Sequence, residues 1–103
     1  MLRESATQQD RAASIEIPWR VREVKPLDGY RLWVVFADGR AGIVDLRRLI
    51  TSENAGVFAA LRDQDVFLSV FIDDGTVAWP GDIDLAPDAM HAAISERGEW
   101  IVE

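Results

Sequence analysis

Two Asp-Gly pairs, Asp28-Gly29 and Asp38-Gly39, bracket the run Leu32-Trp33-Val34-Val35-Phe36. Glycine takes positive φ without steric cost, and aspartate bonds its own nearby backbone, so each pair marks a tight turn. A short β-branched and aromatic run closed by a turn at both ends reads as a strand. The chain must therefore reverse direction twice within a short stretch, which is a three-stranded antiparallel meander. Its strands are expected at Trp19–Lys25, Tyr30–Phe36 and Arg40–Val44, with Pro26 stopping the first. In the first strand Trp19, Val21 and Glu23 share one face, and Arg20, Arg22 and Val24 share the other. The middle strand, almost continuously apolar, is expected to be covered on both faces.

After Val44 the period changes. Leu46, Leu49 and Ile50 fall at helical spacing, and Asp45 precedes them as a candidate N-cap. A second short helical piece is expected at Val57–Arg62 and a connection at Asp63–Phe67. Phe67–Ile72 and Val77–Trp79 then form a second hairpin around Asp73-Asp74-Gly75-Thr76. Pro80-Gly81 ends it. Pro87 suits the first turn of a helix, expected to run to Glu96 with Ala89, Met90, Ala93 and Ile94 inward. Gly98 is its C-terminal stop. The expected fold is α+β: one small domain with a mainly antiparallel sheet of about five strands, two short helices and one longer C-terminal helix.

At 103 residues the chain is the size of one domain, and its 49% hydrophobic content supplies a core. Residues 1–16 are small and polar and are expected to form a flexible leader to a domain at 17–103. Neither a signal-peptide run nor a membrane span of about 20 apolar residues is visible, so a cytoplasmic location is expected. Cysteine is absent, which excludes disulfides, thiol nucleophiles and cysteine-built zinc sites.

The net charge of −7 is unevenly spread. Residues 1–48 sum to +2 and residues 49–103 to −9. An autonomous nucleic-acid binder needs a clustered basic surface, and the overall balance argues against one. The cations Arg20, Arg22, Lys25, Arg31 and Arg40 could still line one side of the meander as a docking stripe.

No catalytic residue, metal or cofactor is expected. His91 is the single histidine. Its nearest sequence partners, Asp88 and Ser95, suggest an ion pair or a nonspecific helix-face pairing rather than a catalytic group. Asp73, Asp74, Asp82 and Asp84 flank the second hairpin, but their spacing fits no calcium loop, and turn chemistry accounts for them. As a protein-contact region they are the strongest candidates, with Trp79 and Trp100 as anchors, because tryptophan is enriched at interface hot spots.

Three segments also resemble a known family. They are Tyr30–Gly39 followed by Asp45-Leu46; Val57-Phe58 with Leu61-Arg62-Asp63 and Phe67; and Gly75-Thr76-Val77-Ala78-Trp79-Pro80 followed by Asp84-Leu85-Ala86-Pro87-Asp88. Together they span about Trp19 to Met90. The chain resembles the small bacterial group called domain of unknown function 2442. In that pattern Trp-Pro is often followed by Asn-Gly, where this chain has Gly81-Asp82. The resemblance implies a cytoplasmic α+β domain without an established catalytic residue. It also implies that some members stand beside a second family, domain of unknown function 4160, in a toxin–antitoxin arrangement.

The expected function is a non-enzymatic protein-binding module, the antitoxin-like member of such a pair, meeting a small basic protein encoded by a neighbouring gene. The alternative is a regulatory accessory or ligand-sensing domain linked to transcription control, carried by Arg20, Arg22 and Lys25. An exposed edge strand, Trp19–Lys25 or Val77–Trp79, offers a route to a homodimer.

Overall fold

The expected meander is present. In the computed structural model, which describes residues 17–103, β1 (Val21–Leu27), β2 (Arg31–Phe36) and β3 (Ala41–Asp45) pair antiparallel. The leader proposed at residues 1–16 lies outside the described residues. Short helix α1 (Arg47–Ile50), a 3-10 helix (Gly56–Arg62) and short helix α2 (Gln64–Phe67) follow. Next come β4 (Phe71–Asp73), β5 (Thr76–Trp79) and β6 (Ile83–Asp84), then helix α3 (Pro87–Arg97) and β7 (Glu99–Ile101). The strands form two sheets, in the orders β1-β2-β3-β7 and β4-β5-β6. The class is α+β.

Several boundaries differ from the sequence reading, each for a local reason. Pro26 does not stop β1; it pairs with Leu32, and Leu27 pairs with Arg31. β1 is the edge of its sheet, where the missing proline N–H costs no ladder bond. The register shifts between Val21 and Glu23, so Arg22 is an extra, bulged residue. That shift puts Val21 and Val24 on one face, against the simple alternation expected. Asp63–Phe67 is not a plain connection. The Asp63 carboxylate accepts the Asp65 backbone N–H at 2.9 Å and starts α2, which takes Phe67 out of the following strand. β7, beyond the last element expected from the sequence, joins β3 in parallel, through Ile43–Glu99, Val44–Trp100 and Asp45–Ile101.

β2 is covered on one face only. Leu32, Val34 and Phe36 are fully buried, while Trp33 on the opposite face is 38% exposed. The buried side of the four-stranded sheet joins Ile50, Leu61, Phe67, Val77, Trp79, Met90 and Ile94 in one core. The outer side carries two full cross-strand rows, Lys25-Trp33-Ile43-Glu99 and Leu27-Arg31-Asp45-Ile101, and a shorter one, Glu23-Val35-Ala41.

The turns show why particular residues stand where they do. Asp74 and Gly75 have φ of 49° and 81°, the two positive values that a two-residue type I′ hairpin requires. In the three-residue turn Asp28-Gly29-Tyr30, Tyr30 takes φ 57°, rare for an aromatic residue. Its hydroxyl donates to the Arg62 carbonyl at 2.7 Å, and its ring meets Phe67 edge-on at 5.4 Å. These contacts offset the strained backbone. Gly98 closes α3 at φ 80°, its N–H bonded to the Ile94 carbonyl. No helix among the described residues is long and apolar enough to cross a membrane.

Candidate functional site

The second hairpin has two chemically different faces. Alternation along β4 and β5 turns Ile72, Val77 and Trp79 inward, and Ile83 of β6 joins them in the core. Phe71, Asp73, Thr76 and Asp84 lie on the opposite side, over Ala78, which is itself buried. Phe71 is 44% exposed. It lines a shallow groove of about 230 Å³ together with Asp73, Pro80, Asp82 and Asp84. Those three aspartates are exposed and make no ion pair among the described residues. The groove is therefore an apolar ring set among unneutralised carboxylates. Among the described residues no group of three or more His, Cys, Asp or Glu is placed to hold a metal ion.

The other candidates fall elsewhere. Asp74 is exposed but paired with Arg20 at 2.8 Å. Arg20 also lies over Gly75, and the adjacent Val21 N–H donates to the Gly75 carbonyl, so this pair joins the two sheets. Trp79 offers no surface for an anchor. It is 1% exposed, and its indole N–H donates to the Phe67 carbonyl at 2.9 Å. Trp100 is half-buried against the core, since its place beside Val44 turns it to the inner face. The exposed aromatic of this region is Phe71. Strand parity was the missed signal: Phe71 shares the phase of Asp73, while Trp79 shares that of Val77. β5 also lies between β4 and β6, so Val77–Trp79 is not an edge available for pairing.

The five cations of the meander do not form one stripe. Arg20 is held by Asp74, and Arg40 by Asp38 at 2.9 Å. Arg22 donates to the Ala37 carbonyl and Arg31 to the Asp28 carbonyl. Lys25 and Arg31 share the outer sheet face with Glu23, Asp45 and Glu99. Such interleaving cancels the potential that phosphate recognition requires.

His91 finds its partner across the fold rather than in Asp88 or Ser95. Its Nε2 lies 2.8 Å from Oδ2 of Asp38, and its ring meets Phe36 edge-on at 4.9 Å. Asp38 also accepts the backbone N–H and guanidinium of Arg40. Burial alone would raise the Asp38 carboxyl. The hydrogen bonds from Arg40 and His91 and the charge of His91 outweigh it and hold the pKa at about 2. The cluster pins α3 to the β2–β3 turn. Because the folded pKa lies below the unfolded value, the stabilisation is present above about pH 4 and is lost as pH falls toward 2. Asp38→Asn is expected to cost about 1 kcal/mol at neutral pH, a difference that closes near pH 2. Urea unfolding of both proteins across pH 2–7 checks this; a constant difference would show that the Asp38 charge does not matter.

Comparison with known proteins adds one match. A family model described as a protein of unknown function (DUF2442) matches residues 21–96, from the first strand almost to the end of α3. No curated protein and no solved structure matches.

Proposed function

We propose that this chain, which belongs to the DUF2442 family of unknown function, is a protein-binding module that docks a small basic protein on the outer face of β4–β6. The observation that carries this reading is the exposed Phe71 among Asp73, Asp82 and Asp84, whose charges no described residue neutralises. An aromatic ring in a groove supplies buried area at low entropic cost. Surrounding carboxylates select a cationic partner and speed its encounter. The more specific form of the proposal is that the partner is a toxin encoded by an adjacent gene and that this chain is its antitoxin.

Co-expression of the tagged chain with the basic product of that gene tests the reading. The two are expected to co-purify at about 50 mM salt and to separate progressively toward about 500 mM. Asp73→Lys combined with Asp84→Lys is expected to weaken binding by about tenfold or more, and Phe71→Ala by a similar factor. Binding that ignores all three changes rules out this face. A partner that binds but does not slow growth when expressed alone removes the antitoxin role and leaves the binding role standing.

A further inference from the structure

The outer face of the four-stranded sheet has an order that its register makes explicit. Across β1, β2, β3 and β7 one row reads Lys25, Trp33, Ile43, Glu99, and the next reads Leu27, Arg31, Asp45, Ile101. A third, shorter row holds Glu23, Val35 and Ala41. All these side chains are exposed or half-buried. Trp33 and Ile101 are both exposed large apolar residues, at 38% and 42%. The final strand continues into a groove of about 480 Å³ lined by Asp45, Arg47, Arg48, Thr51 and Ile101.

The two full rows are each complementary to their own reversal. Turning a second copy by 180° about an axis parallel to the strands, between β2 and β3, brings β1 over the second copy's β7 and β2 over its β3. Lys25 then faces Glu99, and Trp33 faces Ile43. In the next row Leu27 faces Ile101, and Arg31 faces Asp45. In the third row Val35 faces Ala41. In the two full rows every cation meets an anion and every apolar residue an apolar one, while Glu23 in the third row has no β7 counterpart. The other in-plane axis, perpendicular to the strands, superposes the two rows instead and sets Trp33 on Arg31 and Glu99 on Ile101. Only the first rotation matches the chemistry.

We infer that this face is the interface of a symmetric homodimer, two four-stranded sheets packed face to face with Trp33 and Ile43 nearest the two-fold axis. Such an interface is isologous, so each contact occurs twice. Packed sheets stand about 10 Å apart with strand directions within about 30°, which keeps the register nearest the axis. Four strands about 4.8 Å apart and about six residues long present roughly 400 Å² per copy, below the usual size of a stable interface. The dimer is therefore weak and concentration-dependent. The β4–β6 face stays outside it, so the inference is independent of the proposed partner.

Sedimentation equilibrium of the full chain, over a range of concentration up to about 1 mM, tests the arrangement. The wild type is expected to shift from monomer to dimer within that range. Lys25→Glu sets like charges together at two symmetric places and is expected to raise the dissociation constant about tenfold; Glu99→Lys does the same. The double variant, Lys25→Glu with Glu99→Lys, is expected to recover wild-type association. Within one chain these positions are separated by two strands, about 14 Å, so recovery reports contact between copies. Both positions are exposed, and circular dichroism is expected to show every variant folded. A wild type monomeric throughout, single variants without effect, or a double variant that does not recover would each overturn the inference.

Discussion

Trp79→Ala is expected to destabilise the protein by about 3–5 kcal/mol, the largest effect of any single substitution considered. A small domain has only about 5–15 kcal/mol in all, so much of the population would unfold under mild denaturant. The ring is 1% exposed and packs against Phe67 with centroids 6.1 Å apart. Its N–H satisfies the Phe67 carbonyl at the end of α2. Removing it therefore opens a cavity and takes from the Phe67 carbonyl the shorter of its two hydrogen bonds, leaving the one from the Val70 N–H at 3.3 Å. Trp79→Phe separates these effects: most of the packing remains and the carbonyl keeps only the Val70 N–H, at an expected cost of about 1 kcal/mol. Trp33→Ala, on the outer face, is expected to cost under about 1 kcal/mol in the monomer. Urea unfolding followed by far-ultraviolet circular dichroism ranks the three. A Trp79→Ala loss no greater than that of Trp33→Ala would mean that Trp79 is not in the core.

Gly42→Ala follows, at an expected 1–3 kcal/mol or more. A methyl group at Gly42 would sit 2.5 Å from the Gly98 carbonyl oxygen and 2.8 Å from the Ile94 methyl. The first is backbone, at the turn that ends α3 and starts β7. It yields only if α3 lifts from β3, which also strains the bond from the Ile43 N–H to the Gly98 carbonyl. Loss of amide-exchange protection at Ile43 and along β7 is therefore expected together with the fall in stability. Gly39→Ala is the comparison. The space there is open and the residue suffers only from its φ of 90°, so about 1–2 kcal/mol is expected with β7 intact. Equal protection of β7 in both variants would contradict the close approach.

Local chemistry made part of this architecture legible. The Asp-Gly turns, Pro87 at the start of α3 and Gly98 at its end are short-range signals, and the structure keeps them. Asp45 was read as the cap of α1. The cap position belongs to Leu46, yet the Asp45 carboxylate still accepts the Arg47 N–H at 3.0 Å. What escaped depends on distant partners. Glu99–Ile101 is too short to declare itself a strand, and only β3 makes it one. The apolar run in β2 suggested burial on both faces, because composition does not say whether a second layer exists. Asp73, Asp82 and Asp84 do border one groove, but pairing with Arg20 takes Asp74 elsewhere, and Trp79 turns inward. Their place among the anchors falls to Phe71, whose exposure follows from pairing with Ala78.

The most direct measurement is a titration of the isotopically labelled chain with the purified basic protein of the adjacent gene, followed by backbone amide chemical shifts. The largest changes are expected at residues 71–73 and 80–84, weakened by salt and shifted to about tenfold or more higher partner concentration by Asp73→Lys with Asp84→Lys. Changes centred on the β1–β7 face, or none at concentrations where the partner is folded, would contradict it.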